Sequence, residues 1–169
     1  DCTWHPPLII NLLASSIIIF GKSVYYIRGV AAFFNLLTIF LVYRISLEIG
    51  KENKNKEYQA VLATALYALN PLVIQSSVLV DIDGGILNFS TMLFLFFFIK
   101  KKSFPILLFS LLLVFLSKFP GPILLIFSLF IFIVITKQWK EVPRIFLLFF
   151  ITAVIFLIIL FSYLKIMGS

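Results

Sequence analysis

The chain has 169 residues, of which 62% are hydrophobic and only 12% are charged, and its mean hydropathy is +1.15. A soluble domain needs far more polar surface, so the composition excludes one and predicts an integral membrane protein. The net charge of +7 is no sign of nucleic-acid binding, because basic residues of membrane proteins gather in cytoplasmic loops. Cys2 is the single cysteine, which excludes an internal disulfide and a cysteine-based metal cluster.

The first predicted helix covers residues 8–20 and follows Pro6 and Pro7. Proline fixes φ and is well placed at a helix start. This helix is about 20 Å long, which is short of the hydrocarbon core of roughly 30 Å. We therefore expect a juxtamembrane or re-entrant helix in one membrane interface. Residues 1–26 are expected to form an external loop together with this helix.

Six longer apolar segments follow, and they predict an all-α, polytopic membrane bundle of about six transmembrane helices in a single domain over residues 1–169. Asn70-Pro71 predicts a kink in the second of them. The segments are residues 27–47, 58–79, 86–99, 104–116, 123–136 and 145–164.

The charged residues sort by side of the membrane. Three loops that fall on one side hold ten of the 14 basic residues, and the positive-inside rule places these loops in the cytoplasm. The ten are Arg44, Lys51, Lys54, Lys56, Lys100, Lys101, Lys102, Lys137, Lys140 and Arg144. The external side then gathers a sparse polar set, which is typical of a site: Asp1, His5, Lys22, Arg28, Asp81, Asp83 and Lys118.

Asp81 and Asp83, followed by Gly84 and Gly85, stand between two long apolar segments. Carboxylates in such a place are costly unless water, a cation or a partner meets them, which favours a functional site. Two alternatives remain open, a solvated turn and the capping of a helix that begins at Gly84. The chain starts with Asp, lacks a signal peptide and ends soon after its last apolar segment, so it is expected to be a piece of a longer protein.

From His5-Pro6-Pro7-Leu8 onward the sequence resembles membrane glycosyltransferases of the GT-C fold, in the branch of the protein O-mannosyltransferases and the lipid A aminoarabinose transferase. The resemblance continues through Phe20-Gly21, Arg28, Val42-Tyr43-Arg44 and the segment from Ala60 to Leu72. The turn from Leu116 to Pro122 is similar to the family's Leu-Thr-Lys-Gly-Pro turn. The family's first span, its catalytic external loop and its C-terminal part have no counterpart here.

The resemblance implies inverting transfer of a mannose-like hexose or a pentose from a polyprenyl- or dolichyl-phosphate donor. The acceptor would be a hydroxyl or phosphate of a protein, lipid or glycan on the external face of a prokaryotic plasma membrane. Besides donor and acceptor, membrane lipid is the expected partner, and nucleic acid is not. The implied activity makes the chain an enzyme.

Such a transfer needs a carboxylate to take the acceptor proton and cations to stabilise the leaving phosphate. Asp83, or Asp81, is the expected catalytic or substrate-orienting acid, and Lys118 and Arg28 are expected on the phosphate. Interface anchoring is the alternative for these two cations. Asp1 is expected to be a remnant of the catalytic loop. Asp1 and His5 are also expected to bind substrate. His5 is in addition a candidate ligand for a divalent metal ion or a partner of an Asp, with simple packing as its alternative.

Two other function classes compete with the enzyme. A transporter predicts charges at mid-membrane depth and inverted repeats, and the sequence shows neither. A non-catalytic membrane scaffold or assembly subunit needs no convergence of polar groups. For that scaffold, the external Asp, Lys and Arg residues have no joint role.

Overall fold

The computed structural model describes residues 7–78, 82–118 and 120–167. Within these ranges the fold is all-α, with eight α-helices and one 3-10 turn. The helices are α1 (Pro7–Phe20), α2 (Val24–Ile49), α3 (Lys56–Ala68), α4 (Pro71–Val78), α5 (Ile82–Ile99), α6 (Phe104–Ser117), α7 (Pro120–Thr136) and α8 (Val142–Met167), and the 3-10 turn Trp139–Glu141 precedes α8. The expected all-α class is thus confirmed.

Two of the described helices are long and apolar enough to cross a membrane, Val24–Ile49 and the stretch Trp139–Ile166. The other described apolar helices are shorter; α6 has 14 residues and α7 has 17. The expectation of about six transmembrane helices is therefore not confirmed in full. The helix boundaries agree well with those predicted, since α1 starts at Pro7 and α6 starts at Phe104.

The kink predicted at Asn70-Pro71 is confirmed and is a full break: residues 58–79 do not form one continuous helix, because α3 ends at Ala68 and α4 starts at Pro71. Pro71 has no N–H to continue the hydrogen-bond ladder of α3. The Asn70 side chain instead accepts a hydrogen bond from the Leu72 N–H at 2.9 Å. Asn70 therefore starts a new helix, as an N-cap residue does.

The bundle is built around α5, which packs against α2 on one side and against α6 on another, while α6 also packs on α8. The main core joins α5, α6, α7 and α8 through buried aromatic and aliphatic side chains: Phe94, Phe98, Leu107, Leu111, Val114, Leu125, Leu129 and Leu148. A smaller cluster forms around the buried Ile86 and joins α5 to α1 and α2. Helix α1 runs back along the start of α2, with the rings of Phe20 and Tyr26 5.6 Å apart.

The three loops that carry most of the basic residues meet at one end of the bundle. Lys100 Nζ lies 3.7 Å from Glu48 Oε2 and joins the second loop to the first. Arg144 Nη2 donates to the carbonyl oxygen of Lys102 at 3.1 Å and joins the third loop to the second. We call this end of the bundle the basic end.

Candidate functional site

The end of the bundle opposite the basic end is organised by the start of α5. A Cβ added to Gly85 would lie 3.0 Å from the carbonyl oxygen of Ala31 in α2. A Cβ added to Gly121, at the start of α7, would overlap the side chain of Leu87. The start of α5 is therefore flanked closely by α2 and by the turn between α6 and α7. Glycine at both positions leaves room for these two approaches.

This arrangement brings three of the predicted site residues to one end of the bundle. Asp83 lies in the first turn of α5, Arg28 in the first turns of α2, and Lys118 directly after α6. Lys118 is half-buried and extended, with φ −162° and ψ 137°, and its carbonyl oxygen accepts from the Gly121 N–H at 3.0 Å. Arg28 is exposed, which fits an interfacial cation.

Helix α5 begins at Ile82 rather than at Gly84, so Asp83 lies inside its first turn. The interpretation of Asp83 as the residue just before the helix is therefore wrong. A carboxylate in a first turn still interacts favourably with the helix dipole. The side chain of Asp83 lies outside the described residues, and its role stays a prediction.

Three further candidates, Asp1, His5 and Asp81, lie outside the described residues. The predicted divalent metal ion at His5 is therefore untested. Among residues 7–78, 82–118 and 120–167, no group of three or more His, Cys, Asp or Glu side chains is placed to hold a metal ion. The metal stays a prediction that concerns the first residues of the chain.

Sequence analysis missed Asn35, which lies near the middle of α2. The side chain is 3% exposed, and neither its Nδ2 nor its Oδ1 atom has a hydrogen-bond partner among the described residues. A Cβ at Gly85 would lie 3.5 Å from Asn35 Nδ2, so the amide faces α5 just below the candidate site. The available signal was a single Asn inside a long apolar segment, where polar residues are costly.

A groove between α1 and α2 was also not foreseen. Its volume is about 530 Å³, and its walls are apolar and aromatic, including Tyr26 and Phe33. Two small residues, Ser16 and Gly29, also line it. The Ser16 hydroxyl is buried and has no hydrogen-bond partner in the described part of the chain. A polar atom in such a position is unusual, because about nine in ten buried polar groups are paired.

The family model for GPI transamidase subunit PIG-U matches residues 1–169. The chain belongs to the PIG-U family. PIG-U is a membrane-associated family related to the GT-C proteins, so the resemblance to the GT-C fold is confirmed at that level. The assignment to the mannosyltransferase and aminoarabinose transferase branch is not supported. The chain matches no curated protein and no solved structure.

Membership of the PIG-U family overturns the prediction that the chain is a glycosyltransferase. PIG-U is a subunit of GPI transamidase and thus a component of a protein complex, which points away from a glycosyltransferase. The error has a physical origin, since one membrane scaffold hosts unrelated functions and the fold alone does not specify a reaction. The polyprenyl-phosphate donor and the prokaryotic plasma membrane are likewise unsupported, whereas an integral membrane location is supported.

Proposed function

We propose that this chain is a non-catalytic membrane subunit of a GPI transamidase that holds other subunits of the complex through its helices. The match of the PIG-U family over residues 1–169 is the observation that carries the proposal. A subunit of that complex has as partners the other subunits, and the complex acts on protein and GPI anchor. The scaffold alternative that the sequence left open therefore fits better than an enzyme.

The groove between α1 and α2 is the proposed contact for a transmembrane helix of another subunit. Helices associate in membranes where small residues allow close approach and where polar side chains bond across the interface. A Cβ added to Gly29 would meet no described atom within 4 Å, so the α2 surface there is open.

The non-catalytic role is tested by measuring how much of this protein is needed to restore GPI transamidase activity. In membranes depleted of the endogenous subunit, the full-length protein is titrated back and transfer of a GPI anchor to a reporter protein is measured. A scaffold restores activity in proportion to the amount added and saturates at one copy per complex. Full activity from a small fraction of that amount would show turnover by the subunit itself and would contradict the proposal.

Filling the groove tests the proposed contact. Ser16→Leu places a large side chain in the groove, and we expect fewer partner subunits to co-purify with the full-length protein. Ser128→Leu is the matched control, because Ser128 is exposed on α7 and its hydroxyl already bonds the Leu124 carbonyl at 2.9 Å. Equal recovery of partners with both variants would exclude the groove as the contact.

The candidate site at the start of α5 gains a different role in such a complex. We propose that Asp83 and Lys118 orient an acceptor protein or a GPI anchor near the transamidase centre of another subunit. The same proposal extends to Asp81, Arg28, Asp1 and His5, with a divalent metal ion as a further component. The orientation that puts this end outside the cytoplasm rests on the distribution of basic residues. Asp83→Asn in the rescue assay would then lower transfer without changing subunit recovery.

A further inference from the structure

The basic end of the bundle holds two lysines in an unusual backbone conformation. Lys101, after α5, has φ 49°, and Lys137, after α7, has φ 55°. This left-handed region is normally occupied by glycine, because a Cβ is unfavourable there. Among the described residues, these are the non-glycine positions with positive φ. Both therefore place a lysine where glycine would suit the backbone better.

Both lysines close their helices with the same motif. The Lys101 N–H donates to the Phe98 carbonyl at 2.9 Å, and the Lys102 N–H donates to the Phe97 carbonyl at 3.0 Å. After α7, the Gln138 N–H donates to the Ile133 carbonyl at 3.2 Å. These long backward bonds are those of the Schellman helix end. Each lysine thus projects from a fixed turn rather than from a mobile loop.

The two turns face each other across a small cleft of about 70 Å³. Its floor is aromatic, with the rings of Phe98 and Phe132 6.1 Å apart in an edge-to-face arrangement. Lys101, Gln138 and Glu141 also line the cleft. We call this feature the basic cleft. Lys101 lines it, and three more lysines directly follow or precede lining residues along the chain, so we call the four its basic rim: Lys101, Lys102, Lys137 and Lys140. All four rim lysines are exposed.

The acidic residues near the cleft are already engaged elsewhere. Glu141 Oε2 lies 3.3 Å from Arg144 Nη1, and Glu48 is bound by Lys51 and Lys100. In the described part of the chain, no carboxylate lies within ion-pair distance of a rim lysine. Arg144 also bonds the Lys102 carbonyl and so holds the two sides of the cleft together. The rim is therefore a cluster of exposed positive charges that the carboxylates Glu48 and Glu141 do not neutralise within ion-pair distance.

Trp139 indicates which anion the cleft meets. It lies between Lys137 and Lys140 and is 56% exposed. Exposed tryptophan next to lysine at the end of apolar helices is typical of the headgroup level of a bilayer. A phospholipid matches this surface, with a phosphate for the lysines and an apolar part beside the exposed ring of Trp139. Clustered lysines at this level attract anionic lipids.

We propose that the basic cleft binds the headgroup of an anionic phospholipid. The ligand is a lipid of the surrounding bilayer, and the phosphate lies among Lys101, Lys102, Lys137 and Lys140. This site lies at the opposite end of the bundle from Asp83 and Lys118, and it is independent of the proposed subunit role. In this site, Lys101 and Lys137 carry positive charges at two backbone positions that the ends of α5 and α7 fix.

Trp139 provides the reporter for a direct test. The full-length protein is placed in nanodiscs that contain brominated phosphatidylserine or brominated phosphatidylcholine with the same acyl chains. Quenching due to Trp139 is the difference between wild type and Trp139→Phe. We expect phosphatidylserine to reach half-maximal quenching at a lower mole fraction than phosphatidylcholine. The ratio of the two mole fractions should be roughly fivefold for each rim lysine that contacts the lipid. Equal quenching by the two lipids would overturn the proposal.

Glycine variants separate charge from folding. Lys101→Gly with Lys137→Gly removes two charges while suiting both left-handed turns, so the helix ends stay intact. The phosphatidylserine preference should fall about 25-fold, since each lysine contributes about fivefold. Lys101→Arg with Lys137→Arg should keep it, and Lys22→Gln with Lys165→Gln, at the other end of the bundle, should leave it unchanged. An unchanged preference in the double glycine variant would contradict the proposal.

The source of the phosphate is tested by competition. Inorganic phosphate replaces chloride at constant ionic strength, so that general screening stays the same. A lipid site keeps its preference for phosphatidylserine, because apolar contacts and the bilayer hold the ligand in place. Complete displacement by inorganic phosphate would show a site for free anions and would overturn the assignment to a lipid.

Discussion

The hydroxyl oxygens of Ser90 and Ser117 lie 3.0 Å apart inside the bundle and join α5 to α6. Each hydroxyl also bonds a carbonyl of its own helix, Ser90 that of Ile86 and Ser117 that of Leu113. A hydroxyl has one hydrogen, so it cannot fully serve both acceptors at once. The contact between the helices therefore competes with bonds inside them.

We predict a small coupling between these two serines. A double-mutant cycle with Ser90→Ala and Ser117→Ala should give about 0.6 kcal/mol, the average for polar contacts in a membrane protein. Unfolding of the full-length protein in mixed micelles measures it. Ser110→Ala is the control, because the Ser110 hydroxyl bonds its own helix at Leu107. A coupling of about 2 kcal/mol would mean a stronger contact than this competition allows.

Gly85→Ala should destabilise the contact of α2 with α5. The added Cβ would lie 3.0 Å from the Ala31 carbonyl oxygen, and a helix backbone cannot move aside locally. We expect the free energy of unfolding to fall by about 1–3 kcal/mol, as for overpacked cores. Gly29→Ala is the matched control, because its added Cβ would meet no described atom within 4 Å. Equal stability of the two variants would contradict the close approach.

Gly121→Ala should have a smaller effect than Gly85→Ala. Its added Cβ would overlap Leu87 Cδ1, the far end of a flexible and half-buried side chain. Rotation of Leu87 relieves that overlap, whereas Val114 Cγ1, 3.2 Å away, tightens the site further. We expect a loss of about 1 kcal/mol in the same unfolding measurement. If this overlap is the cause, the double variant that carries Gly121→Ala and Leu87→Ala should be more stable than the variant with Leu87→Ala alone.

Asn35→Leu should raise the free energy of unfolding. The buried amide has no hydrogen-bond partner among the described residues, and an apolar side chain of similar size removes that cost, which is about 1–3 kcal/mol for a neutral group. Thr38→Val is the control, because the Thr38 hydroxyl is buried but bonded to the Phe34 carbonyl at 2.7 Å. A clear loss of stability for Asn35→Leu would show that the amide binds a group inside the bundle.

Lys101→Gly should stabilise the end of α5. Removing a Cβ from the left-handed position relieves about 1 kcal/mol of backbone strain. Lys102→Gly removes the same charge from the next residue, whose φ is not positive, and should not stabilise. Thermal unfolding of the two variants in the same detergent distinguishes them. A lower midpoint for Lys101→Gly than for wild type would show that the lysine side chain stabilises the fold.

The sequence predicted those parts of the fold that depend on local signals. Pro7 and the apolar residues after it defined α1, and the basic loops identified the end where Lys100 meets Glu48. Asn70-Pro71 predicted a kink, but the sequence is apolar on both sides of it, so hydropathy did not show that the kink divides the segment into two helices, α3 and α4. The side-chain bond from Asn70 to Leu72 that starts α4 is local but leaves no trace in hydropathy.

The sequence predicted that the candidate residues lie at the same end of the bundle, but it did not predict the contacts between the helices there. Asp83, Arg28 and Lys118 lie at one end of the bundle because successive helices alternate in direction, which the charge pattern reveals. The approach of Gly85 to Ala31 depends on which faces of two helices meet, and one sequence does not specify this. The glycosyltransferase activity was predicted wrongly because the motifs identified a fold, and a fold does not determine chemistry, whereas the alternative of a non-catalytic subunit agrees with the family.

Helix α6 is about 21 Å long and α7 about 26 Å long, whereas a bilayer core measures roughly 30 Å. Helix α6 buries Leu107, Leu111 and Val114 among its neighbours, whereas α7 presents Leu124, Phe127 and Ile131 to its surroundings. A bilayer that α7 crosses has to thin beside it, or the lysine side chains at its end have to extend to the interface, at a cost that grows with each ångström of mismatch. In such a bilayer the length of α7 ties the stability of the helix to the thickness of the membrane.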